Sequence, residues 1–201
     1  MNMSIGFNLR KSQFSEYLVE RNNLHFFGFE GWIFYQGMLF HDLQKWWGKG
    51  GLRDEPHEGL DFCFYQDENG QEHRLDTTTK IPVLYEGEII RIVDDFLGKS
   101  IFVGHGINDE SNRVLYTIYG HTVPYGNIDR RKTIQEGETI GTIAHAKQGR
   151  ENIYPHIHVS MAWLPKSFPR ERLTWETISD RSITTLSNPL EFISCEYCVQ
   201  G

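Results

Sequence analysis

No part of the chain stays apolar for long. The sequence has no run approaching the roughly 18–20 apolar residues that a membrane-spanning helix requires, so no span is expected. Its opening, Met1-Asn-Met-Ser-Ile-Gly-Phe-Asn-Leu-Arg10, has no basic segment followed by an apolar one and does not read as a secretory leader. Cysteine is scarce: only Cys63, Cys195 and Cys198 in 201 residues. An odd count suits a reducing compartment, or one free thiol beside a single bridge. Cys195-Glu-Tyr-Cys198 is a lone C-x-x-C. Half of a zinc ribbon is not a site, and no βαβ pattern precedes it to suggest thioredoxin chemistry. It reads as a terminal pair, free or bridged. Basic residues are outnumbered, 20 against 27 acidic, for a net charge of -7. That balance disfavours non-specific nucleic-acid binding, which needs a basic surface, and no nucleic-acid partner is expected.

Aromatic residues, by contrast, are plentiful: thirteen Phe, nine Tyr and five Trp. Aromatic and β-branched residues fit a pleated surface, so the composition leans towards strands. The chain is long enough for one domain with extensions and for a core that needs no disulfides. Residues 12–22 space Phe14, Tyr17 and Leu18 as a short amphipathic helix, with Ser12 and Ser15 available as caps. Residues 25–47 show no clear period and read as a wrapping segment with short strands, ended by Gly48-Lys-Gly-Gly51.

From Leu60 the pattern changes. Leu60-Asp-Phe-Cys-Phe-Tyr65 alternates, and Asn69-Gly70 is a hairpin turn signal. Short strands are predicted at Ile81–Leu84, Ile89–Val93, Ile101–Val103, Val114–Tyr119, Thr139–Ala144 and Ile157–Trp163, with a helix near 171–179. The predicted fold is mainly β: an antiparallel β-sheet or sandwich domain with a groove and a few peripheral short helices.

Four of nine histidines form a pattern with one aspartate: His57-Glu-Gly-Leu-Asp61, then Tyr119-Gly-His121, then Pro155-His-Ile-His158. Strand side chains alternate faces, so His156 and His158 project from one face while Ile157, Val159 and Met161 pack on the other. Either imidazole of that pair could bind an ion while the other stands beside it. Extending the Leu60, Phe62, Phe64 alternation backwards puts His57 and Asp61 together on the opposite face. Imidazole and carboxylate are ordinary zinc ligands, and three protein ligands leave a fourth position open for catalysis. An isolated His-x-His is more often ordinary packing than a site. The ordered joint occurrence of all three pieces is what carries weight.

These residues resemble the M23 metallopeptidases, the lysostaphin/LytM group, whose signature is H-x-x-x-D, a mid-domain histidine, then H-x-H. Ile101-Phe-Val-Gly-His-Gly106, Glu136-Gly-Glu-Thr-Ile-Gly141 and Asn188-Pro-Leu-Glu-Phe192 are similar to further family elements, in the family's order. The resemblance spans roughly residues 52–193. It departs at Ala144-His-Ala-Lys-Gln-Gly-Arg150, where Gly-Ser-Thr-Gly-type residues are usual and which borders the groove in the family.

The resemblance implies one zinc per chain held by His57, Asp61 and His158, with His121 and His156 flanking the open position as catalytic residues. The implied activity is a zinc-dependent endopeptidase using a zinc-activated water on peptidoglycan cross-links or stem peptides. The alternative it leaves is a non-catalytic regulatory or binding module of the LytM type. Such a substrate places action at the cell envelope or outside the cell if a leader has been removed. His105 is read as structural, and His145 as a possible substrate contact. The expected organisation is an aromatic-rich extension over 1–50 packed on the core, a peptidase domain over 51–193 and a tail over 194–201.

Overall fold

The computed structural model describes residues 9–145 and 153–201. Phe14–Arg21 forms α1, and the strands follow as β1 (Phe29–Tyr35), β2 (Leu60–Phe62), β3 (Phe64–Asp67), β4 (Glu72–Arg74) and β5 (Lys80–Pro82). The longer strands are β6 (Gly87–Asp94), β7 (Lys99–Asn108) and β8 (Arg113–Pro124). After them come β9 (Thr133–Ile134), β10 (Thr139–Ile143) and β11 (Ile157–Pro165). The chain closes with α2 (Trp175–Ser179), β12 (Thr185–Ser187) and β13 (Tyr197–Gln200).

The strands make two sheets. The larger runs β12-β11-β8-β7-β6-β9, with β2 added beside β11, and β10 paired to both β8 and β5. The smaller runs β13-β1-β3-β4. The mainly β, antiparallel expectation holds, with one parallel pair where β13 lies beside β1.

Alternation along β8 and β11 builds two cores. Leu115, Tyr119, Ile157, Val159, Met161 and Trp163 face the main cluster between the sheets, with Trp32 and Phe34 of β1 and Phe14 and Leu18 of α1. Val114, Tyr116, Ile118, Ala162 and Leu164 face a second cluster, covered by Leu173 and by Ile178 of α2. Each fully buried large apolar side chain contributes about 1.5–3 kcal/mol. The first fifty residues therefore supply core, not only cover.

Two local readings are corrected. The single strand expected over Leu60–Tyr65 is two: the chain leaves the larger sheet at Cys63, so β2 pairs with β11 while β3 pairs with β1 and β4. The segment without visible period does hold a strand, as expected: β1 is central in the smaller sheet and buried on both faces, which is why no alternation shows. Phe26 and Phe27 do not pack on the core but are 78% and 61% exposed, in a short 3-10 turn between left-handed Asn23 and Gly28. The capping reading is half right: Ser12 Oγ accepts from the Phe14 amide, whereas Ser15 Oγ accepts from the Trp32 indole. Asn69-Gly70 does turn β3 into β4, with Gly70 at φ 74°. All three cysteines are free.

Candidate metal centre

The site is assembled by strand register. β11 pairs His158 with Asp61 of β2 on one side and with Gly120 of β8 on the other, so one row crosses three strands. Two glycines make this possible. A Cβ on Gly120 would lie 3.2 Å from the His158 Cβ, in the space the imidazole uses. A Cβ on Gly59 would stand 2.2 Å from the Val159 carbonyl, so the link from His57 to Asp61 passes beneath β11 only with glycine there.

Three donor atoms converge. His57 Nε2 lies 3.0 Å from His158 Nδ1 and 3.2 Å from Asp61 Oδ1, and His158 Nδ1 lies 2.9 Å from Asp61 Oδ1. All three side chains are buried. Donors sharing one tetrahedral ion at about 2.0–2.2 Å stand roughly 3.3 Å apart, so this triangle has the size a metal requires. The protons agree. His57 Nδ1 donates to the Leu39 carbonyl at 3.0 Å, which leaves the Nε2 lone pair facing its neighbours. His158 Nε2 meets Ser160 Oγ at 2.8 Å, and with its proton there the Nδ1 lone pair also faces inward. Two imidazoles and a carboxylate form a set that suits zinc and keeps a further position open.

Burial pushes the His158 imidazole below its ordinary value, against the raising effect of Asp61. Burial alone would raise the Asp61 carboxyl, but the facing His57 and His158 rings outweigh it and hold it well below the usual carboxylate range. Burial thus disfavours a charged His158 while Asp61 is kept ionised, and a neutral imidazole and an ionised carboxylate are the forms that ligate.

Two further histidines stand beside the triangle. The His121 ring is 4.8 Å from that of His156 and 5.9 Å from that of His158. His156 Nδ1 donates to the Tyr154 carbonyl at 2.8 Å, and burial pushes this imidazole down to about 3. It is therefore neutral at physiological pH, with Nε2 as an acceptor. His121 is held in the left-handed region at φ 62°, a strained backbone of the kind found at functional positions. Its Nδ1 is buried and lies 3.4 Å from Asp95 Oδ1, too poorly aligned for a formed hydrogen bond.

The structure therefore brings all five residues of the sequence pattern together, in one cavity of about 290 Å³. Its walls include Trp47, Arg53, Phe96 and Trp175. His105 stands apart, its ring nitrogens on the Glu86 carbonyl and Thr117 Oγ1, in keeping with a structural role. The 144–150 stretch expected to border the groove falls mostly outside the described residues, which stop at His145 and resume at Ile153.

Sequence reasoning missed several participants. The Asp95 side chain is buried and accepts from the Leu97 and Gly98 amides, Ser100 Oγ and the His121 amide. Burial alone would raise its carboxyl, but its bonds and charge contact with His121 bring it below the ordinary range. Trp175 donates to Ser100 and sets its ring edge against His158. Trp46, one of the extension's aromatics expected to pack on the core, donates to Asp61, a contact its position alone did not reveal. A local signal existed for Asp95 alone, the Asp-x-x-Gly turn.

No family model matches the chain, and no curated protein does. Among solved structures, it is similar to the catalytic domain of lysostaphin from Staphylococcus simulans, at 16% identity over 91% of this chain and 98% of that one, TM-score 0.46. It is also similar to the catalytic domain of the prophage-encoded M23 protein EnpA from Enterococcus faecalis, at 20% identity over 55% and 71%, TM-score 0.39. A third similar structure is the SpoIIQ-SpoIIIAH pore forming complex, at 13% identity over 85% and 87%, TM-score 0.46.

Proposed function

We propose that the chain is a zinc-dependent endopeptidase that hydrolyses peptide bonds, with the peptides of peptidoglycan, in cross-links or stems, as its substrate. The observation that carries the reading is the buried triangle of His57 Nε2, Asp61 Oδ1 and His158 Nδ1 at a cavity also lined by His121 and His156. A structural metal site would be closed by a fourth protein ligand, whereas here two imidazoles lie beside the remaining side without completing the set. A bound zinc would supply Lewis acidity and a more acidic water.

The remaining work belongs to the chain. His156 is neutral, oriented by its Nδ1–H bond to Tyr154, and presents Nε2 as the base that takes the proton of the attacking water. His121 has a carboxylate behind it. Asp95 fixes the His121 backbone through its amide and stands 3.4 Å behind Nδ1, which positions the ring, opposite His156, as the donor to the developing oxyanion and then to the leaving amine. Trp47, Phe96 and Trp175 provide apolar walls that exclude water from the scissile bond. The extension over 1–50, the peptidase domain over 51–193 and the tail over 194–201 are our proposed division. The extension contributes Trp47 to the cavity wall.

The test combines elemental analysis with release of soluble fragments from cell-wall sacculi. One zinc per chain and metal-dependent release are expected. A chain that binds zinc but cuts no sacculus preparation or peptide would instead be a binding or regulatory module.

A further inference from the structure

The segment from Met38 to Trp46 grips both proposed ligands that precede β11. Its backbone meets the stretch that carries them at four points. His41 N donates to the His57 carbonyl, the Asp42 carbonyl accepts from His57 N, the Met38 carbonyl accepts from Asp61 N, and the Leu39 carbonyl accepts from His57 Nδ1. At its end, Trp46 Nε1 donates to Asp61 Oδ2 at 2.7 Å. The two oxygens of Asp61 are therefore divided: Oδ1 faces His57 and His158, and Oδ2 faces the indole, with Arg53 Nη2 further off at 3.8 Å.

We propose that Trp46 is a positioning residue of the metal centre: its indole holds Asp61 as a one-oxygen ligand and so preserves the open coordination position. A carboxylate free to turn would offer both oxygens to an ion, and the second would occupy the place that catalysis needs. The residue type fits the task. An indole N–H is a donor only, carries no charge and has no lone pair with which to compete for the metal. Its ring is fixed by edge contacts with His156 at 4.9 Å, Phe64 at 6.1 Å and Trp47 at 5.9 Å, so the N–H direction is set by packing. The same ring thereby ties the orientation of a ligand to that of His156. The inference rests on the metal-centre reading above.

Two variants separate the hydrogen bond from the packing. Trp46→Phe keeps a ring and loses the donor. Trp46→Gln loses the ring but places an N–H the same number of bonds from Cα. Metal-free wild type and both variants are titrated with zinc against a chromophoric chelator and with cobalt(II) by visible absorption, and the melting temperature of each metal-free form is recorded. For W46F, zinc affinity should fall by about 10–100-fold. Its cobalt band should weaken towards that of a five-coordinate ion. W46Q should retain more affinity than W46F, whatever its melting temperature. Equal zinc affinity and an unchanged cobalt spectrum in W46F, or W46Q binding more weakly than W46F, would make the indole a packing residue and overturn the proposal. So would failure of both variants to fold. If wild type itself binds neither ion, the metal-centre reading falls first and takes this one with it.

Discussion

Replacing Asp95 with Asn tests whether a carboxylate outside the sequence pattern supports catalysis. The carboxylate accepts bonds from Leu97 N at 2.9 Å, Gly98 N at 2.7 Å, Ser100 Oγ at 2.6 Å and His121 N at 2.7 Å. Asparagine keeps one oxygen, and its amide nitrogen cannot accept, so one pair of these donors loses its partner. The Ser100 hydroxyl can rotate away, whereas a backbone amide cannot. With charged hydrogen bonds worth about 1.5–3 kcal/mol and an unsatisfied buried donor about 1–3, the net loss is roughly 2–4 kcal/mol. For a chain of this size that lowers the melting temperature by about 5–15 °C, and the variant still folds. Catalysis should fall further than stability suggests. His121 loses both the anchor of its strained backbone and the negative charge behind Nδ1, so kcat should drop on the order of 10²-fold with KM little changed. Zinc content should stay at the wild-type level, because none of the four bonds touches a proposed ligand. Acid sensitivity changes as well. The folded Asp95 carboxyl is depressed, so its contribution to stability is complete above about pH 4 and is lost as pH falls towards the folded value; D95N removes that component. The measurements are thermal unfolding from pH 2 to 8, elemental analysis and sacculus release kinetics. Wild-type kcat in D95N, or loss of its zinc, would refute the role assigned to Asp95.

Asp61→Ala should lose most bound zinc, since three ligands are the minimum for an open site; full occupancy by elemental analysis would remove Asp61 from the set. His121→Ala and His156→Ala should keep zinc and lose activity by roughly 10²-fold or more, while His158→Ala should lose both; a His156→Ala chain without zinc would reverse the pair. The metal-free protein should lose stability as pH falls. Burial depresses His156 to about 3 and His105 to about 4. The unfolded chain therefore takes up protons below about pH 6.5 that the folded chain refuses, costing about 1.4 kcal/mol per pH unit for each group; melting temperatures level between pH 4 and 7 would contradict this. Deleting residues 1–45 removes Phe14, Leu18, Trp32, Ile33, Phe34 and Met38, all at most 2% exposed, and should leave an insoluble chain; a truncated protein that folds and binds zinc would show this core to be dispensable.

The antiparallel β character and the two local pairs, His156 with His158 and His57 with Asp61, were legible because each rests on a short-range rule, whereas His121 and the choice of ligands came with the family resemblance. Alternation puts His156 and His158 on one face of a strand. The turn before Leu60 brings His57 back beside Asp61. Such patterns live within a few residues of chain. What the sequence by itself determined, then, was which side chains have the right chemistry and which of them share a local face. Their convergence is a matter of register between β2, β8 and β11, whose residues lie far apart in sequence but meet as His158 against Asp61 and Gly120. The supporting contacts were less visible still. Asp95 sits 26 positions from His121, and Trp46 sits 15 from Asp61. Neither spacing belongs to any helix or strand period, so no periodicity could link them. Burial makes β1 apolar on both faces and erases the alternation by which it would have been recognised. Only the tertiary structure decided these features, because hydrogen bonds between distant segments are selected by packing the two sheets together, and local backbone preference carries no record of that choice.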